Sequence, residues 1–249
     1  MPQHSGLSCA ADLKQPEQPP TESPRKEPKP LWGLVRRRER WGLSWRGRFL
    51  LLLICLGLAM IIAPRVSSFL ATSAPIDAEV LVVEGWAPDY ALEAAISEFK
   101  QHPYARFYVT GGPILAGAPL SEYKTYAELG AATVMRLGLN GESVQAVPAP
   151  KMRKDRTYTS AIALRDWLRQ HGTSPRRFNV VSVGPHARRT RLLFEKAFGK
   201  DATFGIIAIP DEDYDPKHWW TSSHGVRATI DELVAYTYAR LFFHAAGTP

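Results

Sequence analysis

Between residues 182 and 199 the chain reads SVGPHARRTRLLFEKAFG, and its second half has the apolar spacing of an amphipathic helix. His186, Arg188, Arg189 and Arg191 crowd the start of that helix. Cations there oppose the partial positive charge of a helix N-terminus, so they require a negative partner. Two kinds of partner are open. One is a bound anion, a phosphate or carboxylate, held by Arg189, which precedes Leu192 by three and Leu193 by four and so borders the apolar face. The other is an internal acid, with Glu84, Asp89 and Asp155 as candidates. Arg188 and Arg191 read as water-facing, with Glu195 placed to pair with Arg191. His186 titrates nearest neutral pH and is the acid/base candidate, with Glu84 or Glu122 to orient it.

Further candidates sit at turn signals. Gly111 and Gly112, in TGGP, permit either a tight strand-to-helix turn or a close backbone approach to an anion. Ser121 reads as the N-cap of SEYKTYAELG, with Glu122 a favourable first-turn acid, and Thr157 reads as a second N-cap. Glu84 is either a solvated strand end or a site acid. A Ser121–His186–Glu84 nucleophile set lacks the Gly-x-Ser-x-Gly elbow, and no Gly-x-Gly-x-x-Gly follows the first strand, so no nicotinamide or other cofactor is expected. Asp211, Asp213 and Asp215 alternate like a calcium loop. Pro216 then takes the glycine position and Ser222 the final glutamate position, so no metal is expected. Asp215-Pro216 reads as an N-cap with proline at the first helical position. Trp219 and Trp220 either pack on the domain or sit at a bilayer surface.

These residues need elements to position them. EVLVVE (79–84), RFYVT (106–110), VQAV (144–147), FNVVSV (178–183) and TFGIIAI (203–209) read as short buried strands. Helical patterns follow the first four, at about 89–101, 121–138, 157–171 and 186–198. A last helix at about 226–243 has Val226, Ile230, Leu233, Val234 and Leu241 as its apolar side. This βαβα order predicts an α/β fold, a parallel sheet of about five strands with helices on both faces. Ligands of such sheets bind outside the carboxyl ends of the strands. That logic brings Glu84, Gly111, Gly112, Arg153, Arg156, Thr157, His186 and Arg189 towards one crevice.

The 249 residues carry a net charge of +7, but the charge is local. Residues 1–30 are rich in proline and read as a disordered tail; residues 31–48 hold six arginines and one glutamate. A patch of that kind beside an apolar run is a topology signal and argues against nucleic-acid binding. The run, FLLLLICLGLAMIIA at 49–63, would rise only about 22 Å as a helix, and VSSFLA beyond Pro64-Arg65 extends it. We expect one membrane anchor over 49–71, with the N-terminus cytoplasmic and residues 72–249 outside the cytoplasmic membrane. A cleaved signal peptide would leave Pro75 after Ala74, a poor site. Trp41 and Trp45 suit the membrane interface. Cys9 and Cys55 form no disulfide framework or thiolate metal site, and Cys55 reads as an apolar filler.

Taken in order, TGGP through Gly111 and Gly112, SEY through Ser121 and Glu122, RTYTS through Thr157, and HARR through His186 and Arg189 resemble the YdcF-like family of envelope proteins over about residues 79–209. Of that family's first glycine turn only Gly85 remains, Arg156 stands where the family often has Asn, and Thr159-Ser160 replace Glu-Asn. The resemblance implies a Rossmann-like three-layer fold and a role in cell-envelope, cell-wall biogenesis. It implies a pocket for a phosphate-bearing or other anionic precursor, free or lipid-linked, formed by Gly85, Gly111, Gly112, Ser121, Arg156, Thr157 and Arg189. It implies no settled reaction, and the residues leave three functions open: a hydrolase or transferase, a non-catalytic anion-binding regulatory module, or a scaffold whose C-terminal helix and tryptophans contact a membrane partner.

Overall fold

The structure, a computed structural model, describes residues 43–115, 117 and 119–244. The proline-rich tail 1–30, most of the arginine segment 31–48, Cys9 and Trp41 lie outside the described residues. The chain divides into units 1–49 and 50–249; of the first only residues 43–49 are described, and the second holds the strands and the helices between them.

Helix α1 (Trp45–Leu70) is long and apolar enough to cross a membrane, and none of its apolar window is covered by the protein. It continues through Pro64 rather than ending there. The rest alternates strand and helix: β1 (Val80–Glu84), α2 (Asp89–Gln101), β2 (Arg106–Gly111), α3 (Tyr126–Arg136), β3 (Val144–Pro148), α4 (Arg156–Gln170), β4 (Arg177–Val183), α5 (His186–Phe198), β5 (Thr203–Ile209) and α6 (Ser223–Leu241). The five strands form one all-parallel sheet in the order β3-β2-β1-β4-β5.

Side-chain alternation along β1 explains its burial. Leu81 and Val83 enter a core with Ala91, Leu92 and Ile96 of α2 and Ala131 and Val134 of α3. Val80 and Val82 point the other way, into a core with Ala161 and Leu164 of α4 and Phe194 of α5. With helices on both faces, a continuous apolar run is the required pattern for a central parallel strand. Phe178, Phe194 and Phe204 are fully buried on the α4–α5 side, each contributing about 1.5–3 kcal/mol by leaving water. The chain runs outward from β1 through β2 to β3, then returns to β4 on the other flank of β1. The loops after β1 and β4 therefore part, and a crevice opens between them at the carboxyl ends.

Three helix starts differ from the sequence reading. Helix α3 begins at Tyr126, not 121, because Thr125 and Glu128 close a capping box: Glu128 N donates to Thr125 Oγ1 at 3.2 Å and Thr125 N to Glu128 Oε2 at 2.9 Å. Ser121 is no N-cap; its Oγ accepts from Tyr123 N within the preceding loop. Thr157 is no N-cap either, since α4 starts at Arg156, preceded by Asp155 in the left-handed region at φ 58°. Helix α6 starts at Ser223, capped by Ser222 Oγ on Gly225 N at 2.9 Å.

The largest correction concerns the face of α6. Val226, Ile230, Val234 and Leu241 are exposed, while Gly225, Thr229 and Ala239 are buried. The inner face is lined by small and polar side chains because α6 packs closely on α5, where Ala239 meets Leu192 and Leu193.

Candidate ligand cavity at the carboxyl ends of the strands

Glu84 ends β1 and is 2% exposed. It is not a solvated strand end. Its carboxylate accepts from Ser182 Oγ at 2.9 Å, Thr190 Oγ1 at 3.1 Å and Thr157 Oγ1 at 3.4 Å, three hydroxyls from β4, α5 and α4. His186 opens α5, and its Nε2 lies 3.5 Å from Glu84 Oε2. Its Nδ1 lies 2.8 Å from Oε1 of Glu232, a residue of α6. One turn further along α5, Arg189 grips the same carboxylate with two bonds, Nε to Oε2 at 2.7 Å and Nη2 to Oε1 at 2.8 Å. Arg189 Nη2 and His186 Nδ1 come within 2.9 Å of each other because both point at Glu232 Oε1.

Each of the four charges holds its partners ionised. Burial works against charge on His186, but Glu84 and Glu232 outweigh it and push the imidazole up to about 9. Burial likewise opposes ionisation of Glu232, and the hydrogen bonds from Arg189 and His186 bring it down to about 2. Burial also opposes charge on Glu84, yet the imidazolium and Ser182 leave it below its ordinary value. The result is two carboxylates, one imidazolium and one guanidinium, a buried cluster with no net charge.

This geometry supplies the negative partners that the cations of α5 require. They are internal acids, Glu84 and, chiefly, Glu232, an acid that the sequence reading does not single out. Arg191 pairs with Glu195 at 2.8 Å, as its spacing predicts. Arg188 turns elsewhere, donating to the Phe69 carbonyl and lying 4.0 Å from the Phe69 ring centre. One expected role is corrected and one is narrowed. Arg189 has its fork filled by Glu232, so it is not a free anion clamp. The imidazolium, bonded through Nδ1 to Glu232 and 3.5 Å from Glu84 through Nε2, has no lone pair at neutral pH, so of the acid/base roles expected of His186 the general acid is the one left open.

Above this cluster a cavity of about 690 Å³ opens. Glu84, Gly111, Gly112, Arg153, Arg156, Thr157, His186 and Arg189, the eight residues that the sheet logic brings together, all line it. The loop between β3 and α4 adds Lys151 and Lys154. Among the described residues, none of Lys151, Arg153, Lys154 and Arg156 forms an ion pair. Six cations therefore line the cavity against three carboxylates, Glu84, Asp155 and Glu232. Opposite the loop, Ala235, Tyr238 and Phe243 form an apolar wall, and the edge of Trp86 meets His186 with ring centres 5.1 Å apart.

The glycines divide by role. A Cβ on Gly85 would sit 2.1 Å from the Tyr126 carbonyl oxygen, and one on Gly111 2.8 Å from Ala127 N. Both are bare so that α3 can press against the strand ends, and Gly85 does not line the cavity. Gly112 is different: a Cβ there would meet nothing closer than Pro150 O at 3.8 Å. Ser121 and Glu122 do not line the cavity, so neither joins His186.

Sequence reasoning missed Glu232, Ser182, Thr190, Lys151 and Lys154. Glu232 had one usable signal: it shares a helical stripe with Gly225, Thr229 and Ala239, where an acid among small residues marks a close helix contact. Ser182 and Thr190 carried none, since each reads as an ordinary residue in its element. In the acidic stretch, Asp215 caps Pro216–Thr221 as expected, accepting from Lys217 N at 2.8 Å. Asp211 and Asp213 meet His224 instead, with ligand-type atoms within 4.8 Å of one another. Trp219 packs inward, 6% exposed, and donates to the Ala63 carbonyl at 2.9 Å; Trp220 stays 43% exposed.

Compared with models of protein families and with curated proteins, the chain matches none.

Proposed function

We propose that this chain is a membrane-anchored, YdcF-like protein of cell-envelope biogenesis, and that its cavity binds an anionic, phosphate-bearing ligand without turning it over. The observation carrying this reading is the excess of cationic side chains around the cavity, where Lys151, Arg153, Lys154 and Arg156 form no ion pair among the described residues. The N-termini of α4 and α5 open on the same space and add partial positive charge. Strand order β3-β2-β1-β4-β5, with the cavity beside β1 and β4, supports a Rossmann-like fold. The arginines at 36–48 support a cytoplasmic N-terminus and an extracytoplasmic position for residues 72–249.

Binding is favoured over group transfer by the state of His186. As an imidazolium between Glu84 and Glu232, His186 is neither a base nor a nucleophile and leaves only the general-acid role for such a reaction. A regulatory or sensing module needs only the loop cations and the cavity.

The test is calorimetric titration of the full chain in lipid nanodiscs with inorganic pyrophosphate. Binding is expected, weakening at least tenfold in the Arg153→Ala, Arg156→Ala double variant, equivalent to about 1.4 kcal/mol. Equal affinity in wild type and variant, or no binding to either, overturns the assignment of the cavity to anions. Hydrolysis of the added pyrophosphate would overturn the non-catalytic reading alone.

A further inference from the structure

Helix α6 is inverted relative to a surface helix of a soluble protein. Gly225, Thr229, Glu232 and Ala239 face the domain, while Val226, Ile230, Val234 and Leu241 face outward at 38%, 42%, 63% and 64% exposure. At about 100° per residue these four fall within roughly 80° of arc and extend about 22 Å along the helix. An exposed apolar stripe of that length calls for a cover. Arg227 and Arg240 border it on either side, both exposed.

The end of α1 is built into the domain beside this helix. Ser67 and Leu70 are fully buried, the Trp219 indole donates to the Ala63 carbonyl, and Phe69 meets Tyr236 of α6 edge-on, with ring centres 5.8 Å apart. Just beyond α1, Ala74 pairs with Ile206 of β5. These contacts place the start of α6, beside Trp219, and its Tyr236 against the last turns of α1. Ala63 also ends the long apolar run of α1, so Trp219 and Trp220 stand at the depth where aromatic residues gather at a bilayer interface.

We propose that the outward face of α6 lies on the lipid surface of the bilayer that α1 crosses, as an in-plane amphipathic helix. Val226, Ile230, Val234 and Leu241 enter the boundary between headgroups and acyl chains, and Arg227 and Arg240 reach out to the phosphates. A bilayer is the occupant because the stripe borders the docked end of the span and is flanked by cations. The domain is thereby held against the membrane at two places, which fixes its tilt as well as its distance.

The experiment uses the full chain, one copy per nanodisc, with Cys9→Ser and Cys55→Ala, and an environment-sensitive fluorophore on Val234→Cys. Val234 is exposed, so the label displaces no packing. A doxyl group near the top of the lipid chain is expected to remove about half of its emission, with little quenching by aqueous iodide. The same label on Lys100→Cys, exposed on α2, should respond in the opposite way. A label on native Cys55, in the middle of α1, reports the span separately and should be quenched by doxyl lipid. Quenching at 234 by iodide and not by doxyl lipid means the stripe faces water and overturns the proposal. Protection from both quenchers means a protein surface covers it and overturns it as well. Failure at Cys55 removes the span, and the proposal with it.

Discussion

Removing one carboxylate from the buried cluster tests whether charge balance is what holds α5, α6 and β1 together. Glu232 accepts three charged hydrogen bonds, at 2.7 and 2.8 Å from Arg189 and 2.8 Å from His186, and its side chain is only 17% exposed. Glu232→Gln keeps the size but loses the charge, and its amide N–H groups face donors. Arg189 and His186 are then balanced by Glu84 alone, leaving one net positive charge in a site poor in water. Breaking a buried pair in this way costs about 3–5 kcal/mol. In a domain of this size each kcal/mol moves the melting temperature by about 2–4 °C, so a fall of roughly 6–20 °C is expected. The assay is thermal and urea unfolding of the full chain in nanodiscs, followed by near-ultraviolet circular dichroism. The decisive companion is Glu232→Leu with Arg189→Met, which removes one charge of each sign and leaves His186 paired with Glu84. It should recover most of the loss, because balanced replacement of a buried pair by apolar groups is often neutral. A single variant within about 1 kcal/mol of wild type, or a double variant as unstable as the single, refutes charge balance as the cause.

The same cluster sets a pH profile. The folded value of His186, about 9, lies above its ordinary 6.5, so its contribution is complete below pH 6.5 and is lost as pH rises through 9. That of Glu232 falls from 4.5 to about 2, so its contribution is complete above pH 4.5 and is lost as pH falls through 2. Stability from the cluster should peak between pH 4.5 and 6.5 and drop by roughly 3 kcal/mol by about pH 10; urea midpoints across that range check it, and His186→Gln should flatten the alkaline limb. The glycines give a further contrast. Gly85→Ala forces a Cβ to 2.1 Å from the Tyr126 carbonyl oxygen and should cost about 3 kcal/mol in urea unfolding. Gly112→Ala adds a Cβ that meets only ordinary contacts, so it should leave stability within about 0.5 kcal/mol while weakening pyrophosphate binding by narrowing the cavity.

How much of the fold was legible in the sequence depends on how local each signal is. The five strands and the helices between them are written in runs of apolar residues a few positions long, and β1 reads correctly because both of its faces are covered. Strand ends then fix the crevice, and eight residues from four separate strand-to-helix junctions assemble there as the sheet logic requires. The site's charge state was not legible in the same way. Whether Arg189 meets a ligand or an acid depends on Glu232, forty-three positions later on another helix, and nothing near Arg189 in the chain encodes that contact. The start of α3 was legible but misjudged: the reciprocal Thr125–Glu128 pair satisfies two backbone donors, whereas Ser121 satisfies its loop.

Helix α6 shows why periodicity alone misassigns an inner face. Its apolar stripe obeys the 3.6-residue period, and in a soluble domain that stripe would turn inward. Here the inner side must approach α5 closely and must carry the carboxylate that neutralises Arg189 and His186, a task for Gly225, Thr229, Glu232 and Ala239 rather than for large side chains. The apolar residues are thus turned outward by the needs of the buried ion cluster. On the proposed placement of α6 against a bilayer, that inversion would find an apolar medium on the outside. The charge cluster and the misread helix are then consequences of one arrangement: an acid buried from α6 to balance α5 leaves the hydrophobic side of α6 facing outward.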